Sequence, residues 1–226
     1  MNRFVINKPI SNLHDGNVVP LCSRGMKGFS LIELIFSMVL SLVILGIAVA
    51  TFSSALRTRE KESSKTDAIT STQAALNIMS REIGNSGFGL DTNGIVIADS
   101  TAKRLHIRAN IVNDDSETDD PGEDITFYWD SATESVVRYD AFNGGSTSGI
   151  INRVSDVDFL YYNYTYNVAT NTVDVTESLT ATINTGRINI ALKVNLPDVP
   201  GQPTGQIVTV DSDVTLRNST YMLGQY

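Results

Sequence analysis

The sequence predicts an α+β protein: a long N-terminal α-helix packed on a mostly antiparallel β-sheet. Three observations carry this. Leu34 to Leu56 is a run of 23 residues without a charge. The helical period continues beyond it, one-sided, to about residue 84. After Phe88 the apolar residues alternate with a period of two.

The apolar run comes first. At 1.5 Å per residue, a helix of that length spans about 34 Å, enough for the hydrocarbon core of a bilayer. Residues 1–28 carry Arg3, Lys8, Arg24 and Lys27 against Asp15, which favours a cytoplasmic N-terminus. Beyond the run, Arg57, Arg59, Lys61 and Lys65 alternate with Glu60, Glu62 and Asp67. A removable secretory signal fits poorly, because the run is too long and no Ala-x-Ala site closes it. Glu33 is the only ionisable side chain between Lys27 and Arg57. A carboxylate in hydrocarbon costs roughly 2.5–3.5 kcal/mol, so this residue calls for a partner.

The second half of the helix is amphipathic. Ile69, Leu76 and Ile83 recur every seven residues, with Thr72 and Met79 between them, and Ala68 and Ala75 widen the stripe. No proline interrupts Phe29 to Ser86, and Gly84 and Gly87 supply the stop. One helix from about 30 to about 84 would be roughly 80 Å long. A plain anchor needs only the first half.

In the outer domain, strands are expected at 94–98, 103–109, 125–130, 134–140, 149–154, 157–166, 187–196 and 208–216. Ile188, Ile190, Leu192, Val194 and Leu196 share one face; so do Val208, Val210, Val214 and Leu216. One apolar face per strand suits an antiparallel sheet covered on one side, with the amphipathic helix as cover. In "FLYYNYTY", Phe159 and Tyr161 share a face with Val157, while Tyr162, Tyr164 and Tyr166 point the other way. Core and subunit packing is the default reading, and stacking on a carbohydrate or base the minority one. "LPDVPGQPTGQ", Leu196 to Gln206, reads as an exposed, stiffened loop.

The chain of 226 residues has net charge −8, and residues 29–226 hold 13 basic against 24 acidic side chains. That acidic body argues against direct nucleic-acid binding, which runs on Lys and Arg. The single cysteine, Cys22, forms no intramolecular disulfide. With only two histidines, His14 and His106, it makes no zinc site either. "NDDSETDDPGED", Asn113 to Asp124, holds seven carboxylates. Asp115, Glu117 and Asp119 alternate in the manner of calcium ligands, but the glycine falls at 122, too late for an EF-hand loop, so a solvated acidic loop is expected. His106 lies on the polar face of a strand between Arg104 and Arg108, with no nucleophile, base and orienter set around it. No enzymatic activity and no cofactor are expected.

"GFSLIEL", Gly28 to Leu34, resembles the type IV prepilin processing signal. The resemblance implies cleavage between Gly28 and Phe29 by a prepilin peptidase, N-methylation of Phe29, and a subunit-registration role for Glu33. "QAALNIMSREIGNSGFG", "INRVSDVDFLYYNY", "GRINIALKVNL" and "VTLRN" resemble, in their order, PilW-type minor pilins and the related J-type pseudopilins of type II secretion. The implied organisation is a leader at 1–28, a membrane or fibre-core half-helix at 29–56, an amphipathic half at 57–87, and a pilin-like periplasmic β-rich domain at 88–226. The implied partners are the peptidase, other minor and major pilins and the inner-membrane assembly platform. The implied location is the inner membrane in a single pass, then a pilus or pseudopilus. Three departures stand out: no cysteine pair in the outer domain, Ala50 where many major pilins carry a proline, and a long leader with Met26 close to the cleavage glycine. A rival of another class is a membrane-anchored binding or sensor protein, which has no use for cleavage at Gly28.

The registration role has a physical basis. A free amine on Phe29 and the carboxylate of Glu33 are opposite charges at one end of an apolar helix. Between neighbouring subunits each removes the other's desolvation cost, which fixes axial register.

Overall fold

The computed structural model describes residues 28–112, 115 and 117–224. The leader before Gly28, with Met26, Cys22 and its basic residues, lies outside the described residues. The described residues divide into two compact units, one up to Val49 and one from Ala50 onward. Helix α1, Leu31–Gly84, carries residues of both.

In the first unit, α1 is apolar on every side, and its side chains from Leu31 to Val49 are exposed. The hydroxyls of Ser37 and Ser41 donate to the carbonyls of Leu34 and Ser37 at 2.9 and 2.7 Å, so these polar groups are satisfied within the helix.

In the second unit α1 becomes one-sided, as its sequence predicts. Thr72, Ala75, Leu76, Met79 and Ile83 are buried, and Ala68 and Ile69 half-buried. The helix stops at Gly84, and the chain turns at Gly87 (φ +78°). A Cβ at Gly87 would lie 2.4 Å from the carbonyl oxygen of Thr92, so only glycine fits.

The β-layer is antiparallel throughout but is two sheets, not one. The first is a meander of β1 (Arg104–Arg108), β2 (Asp124–Asp130), β3 (Ser135–Asp140) and β4 (Ser146–Asn152). The second contains β5 (Val154–Asn167), β6 (Thr172–Ser178), β7 (Thr185–Asn195) and β8 (Ile207–Thr215), in the order β6-β5-β7-β8. A single residue, Arg153, separates β4 from β5. Its left-handed backbone (φ 61°) turns the chain from one sheet into the other. The inward faces of both sheets and the helix stripe form one core, in which Leu105, Phe127, Phe159, Tyr161, Ile190, Met79 and Ile83 are completely buried. Each such apolar side chain contributes roughly 1.5–3 kcal/mol of transfer free energy. Arg138 of β3 ties the helix to the first sheet through Glu82 at 2.9 Å. Asn218 ties the chain beyond β8 to the helix end, donating to the Ser86 carbonyl at 3.2 Å.

Several local expectations are corrected. Residues 94–98 are not a strand: Ile95 makes one isolated bridge to Ile107, and Ile97–Asp99 is a 3-10 turn. Strand β6 has no counterpart among the expected strands; both its faces are exposed, so burial gives no signal for it. The loop from Leu196 to Gln206 is not simply exposed. Val199 is only 5% exposed, and the Arg57 guanidinium of α1 lies directly over Gly201. The carboxylate run is not uniformly solvated either. Glu123 is 2% exposed and accepts from the backbone N–H of Val112 (2.9 Å) and Asp120 (3.3 Å), stapling its own loop. The chain closes with a short capped turn of helix, α2 (Thr220–Leu223), whose N-cap Ser219 accepts from the Met222 N–H.

Candidate functional site

The candidate site is the N-terminal end of α1. Gly28 precedes the helix in open space, with nothing within 4 Å of where a Cβ would stand. Phe29 is 81% exposed. The Ser30 carbonyl accepts from the Leu34 N–H at 3.1 Å, which closes the first turn. Glu33 lies in that turn and is exposed. There the unpaired N–H groups and the positive end of the helix dipole favour a carboxylate. Among the described residues, α1 is the one helix long and apolar enough to cross a membrane, and none of its apolar window is buried. So large an exposed apolar surface is stable in water only when lipid or other apolar helices cover it. Under such cover Glu33 is the one fixed charge of the segment and needs a cation.

In the outer domain the structure brings together groups that the sequence left separate. His106 is not on a polar face; it is 8% exposed, with Leu105 and Ile107 buried on either side of it in β1. Its Nδ1 lies 3.0 Å from Asp99 and its Nε2 2.6 Å from Asp124, which also pairs with Arg108 at 2.8 Å. Both ring nitrogens are taken by carboxylates, so neither faces a hydroxyl nucleophile.

A second cluster is a square of charges. Lys103 bonds Asp156 and Asp158 at 2.5 and 2.6 Å, and Lys193 bonds the same pair at 3.0 and 2.9 Å. Burial pushes both carboxyls up, but the hydrogen bonds from the two lysines outweigh it and hold them below the usual carboxylate range. The bonds to Asp158 and Asp156 raise Lys193; they also raise Lys103, overcoming its burial. The square ties the turn before β1 to β5 and β7 of the other sheet. Burial likewise pushes the Tyr161 phenol up, its hydroxyl donating to the Thr101 carbonyl at 2.8 Å.

Of the calcium candidates, Asp115 accepts from the Glu117 N–H at 2.8 Å, and Glu117 and Asp119 are exposed. Among the described residues no three His, Cys, Asp or Glu side chains converge as a metal-binding group. Sequence reasoning missed the His106 cluster and the charge square, because their members meet only once strand register and the turns before β1 bring them together.

Residues 23–49 match the model of the prokaryotic N-terminal methylation motif. The match takes in Gly28, Phe29, Glu33 and most of the apolar run. No curated protein and no solved structure matches the chain. The motif and the exposed apolar helix together support a prepilin-like protein of the type IV pilin and pseudopilin type, anchored in a membrane. A structural role fits this motif better than an enzymatic one.

Proposed function

We propose that this chain is a minor pilin: a structural and assembly subunit of a type IV pilus, of PilW type, placed near the fibre tip or in a priming complex. A prepilin peptidase cuts between Gly28 and Phe29 on the cytoplasmic side of the inner membrane, and Phe29 is N-methylated. Minor and major pilins and the assembly platform are its partners. The carrying observation is the presentation of Gly28 and Phe29 in open space, one turn ahead of Glu33, within the matched motif. The scissile bond is accessible, and the new amine forms at the end of the helix where the one carboxylate waits.

Mass spectrometry of the N-terminal peptide from sheared fibres and from membranes tests this. The expected peptide begins at methylated Phe29 in both fractions, and the subunit co-purifies with the other pilins at low abundance. An intact leader on chains incorporated in fibres overturns the processing role. Co-purification with the pseudopilins of a type II secretion system, and absence from pili, overturns the pilus assignment while leaving the processing intact.

A further inference from the structure

The outer face of the second sheet carries an open cleft of about 300 Å³ where β5, β6 and α2 meet. Tyr164, Tyr166, Val173, Asn184, Thr220 and Tyr221 line it. Its wall is a stack. Tyr164 lies over Gly186, where a Cβ would stand 2.9 Å from the ring, and Tyr221 stacks on Tyr164 at 4.4 Å and 19°. Beside them Tyr166 is 58% exposed, its hydroxyl bonded to Asn171 in the hairpin turn. Two of these aromatic rings are therefore fixed before any ligand arrives, which lowers the entropy cost of using them.

The polar inventory of the cleft selects a ligand class. All six of these side chains are uncharged, although residues 29–226 carry an excess of eleven acidic groups. Among the described residues, the Asn184 carboxamide and the Thr220 hydroxyl have no hydrogen-bond partner within the chain. An anion would meet a repulsive domain and no basic partner. A cation would find no carboxylate on these walls. An extended peptide would pair with the free edge of β6, which ends the sheet, whereas the cleft opens on the sheet's face. Aromatic surface beside a free amide and a free hydroxyl suits a neutral ring with one C–H face and a rim of hydroxyls.

We propose that this cleft binds a neutral pyranose sugar, as the terminal residue of a glycan, with Tyr166 and Tyr221 against its C–H face and Asn184 and Thr220 on its hydroxyls. The reading does not depend on how the subunit is processed or assembled.

The test is saturation-transfer NMR on the full mature chain in lipid nanodiscs. The probes are the methyl glycosides of glucose, galactose, mannose and N-acetylglucosamine, with N-acetylneuraminic acid as the anionic control. At least one neutral glycoside should bind, and Tyr166→Ala should weaken it at least tenfold without changing the melting curve, because Tyr166 is exposed. Asn184→Ala should weaken it severalfold, which keeps the test open should Tyr221→Ala unseat α2. The proposal is overturned if no neutral glycoside receives saturation, if binding survives Tyr166→Ala and Asn184→Ala, or if only the anionic sugar binds. A photo-crosslinker at position 166 that captures another protein subunit, without competition by any glycoside, overturns it in favour of a protein interface.

Discussion

Glu33 costs little where it stands and a great deal once its surroundings become apolar. In the first helical turn its carboxylate sits at the positive end of the helix dipole. On the proposed function, its partner in a fibre core is the Phe29 amine of a neighbouring subunit. Glu33→Ala should therefore leave membrane insertion intact or improve it, and leave cleavage intact, because the scissile glycine is untouched. Incorporation into fibres should fall by at least tenfold, since a buried amine left unpaired costs roughly 3–5 kcal/mol. Glu33→Asp should be intermediate, keeping the charge on a shorter arm. Counting cleaved subunits in fibres and partner complexes checks this; normal incorporation of cleaved Glu33→Ala chains sinks the registration role. Glu33 is legible because a lone charge in an apolar run is visible in one dimension. His106 is not. Its partners lie 7 and 18 residues away, and the pairing of β1 with β2, Arg108 opposite Asp124, brings the second of them alongside.

Among the elements, α1 is readable to its last residue because its stripe depends only on local period, and β7 and β8 because each alternates between a more buried and a less buried side chain. Strand β6 is not readable: its Val173 and Val175 are exposed, and what makes it a strand is pairing with β5. The loop after β7 misleads because its prolines and glycines advertise a turn but not that Val199 folds under it. The charge square belongs to this scale, and it predicts a pH window. The carboxyls of Asp156 and Asp158 are held low, so their contribution is present above about pH 4 and is lost as pH falls through their depressed values. The lysines are held high, so theirs is present below about pH 10 and is lost as pH rises through their raised values. Stability should be flat between these limits on this account. Both lysines are more than a third exposed, so solvent screens the square. Lys193→Met should cost only about 0.5–1 kcal/mol at pH 7, less at high salt. Urea melts of both chains at low and high salt check the size; a loss unaffected by salt would show that Lys193 acts through packing alone.

At the scale of the molecule, the core mixes both sheets with the helix stripe, so the outer domain cannot begin where the strands begin. Thr72, Ala75, Leu76, Met79 and Ile83 are buried, and the last four share one core with buried apolar side chains of both sheets. Removing the helix would expose that surface and leave Arg138 without Glu82. A chain of residues 57–226 keeps all of these side chains and drops the apolar run, so it should be soluble and melt cooperatively. A chain of residues 86–226 should fail to fold. Within the longer piece, Met79→Ala should cost roughly 2–5 kcal/mol, as a completely buried methionine cut to alanine does. The same piece tests the acidic loop. Glu123 is already committed to its own backbone and Asp124 to His106 and Arg108, which leaves the exposed Asp115, Glu117 and Asp119 as the outward carboxylates among the described residues. With no three of them converging, millimolar calcium should move the melting temperature by less than about one degree. A site filled at one hundred times its dissociation constant would add about 2.7 kcal/mol, several degrees for a domain of this size. A rise of that size, abolished by Asp115→Asn, would show that the loop rearranges around an ion and would make Asp115 a ligand.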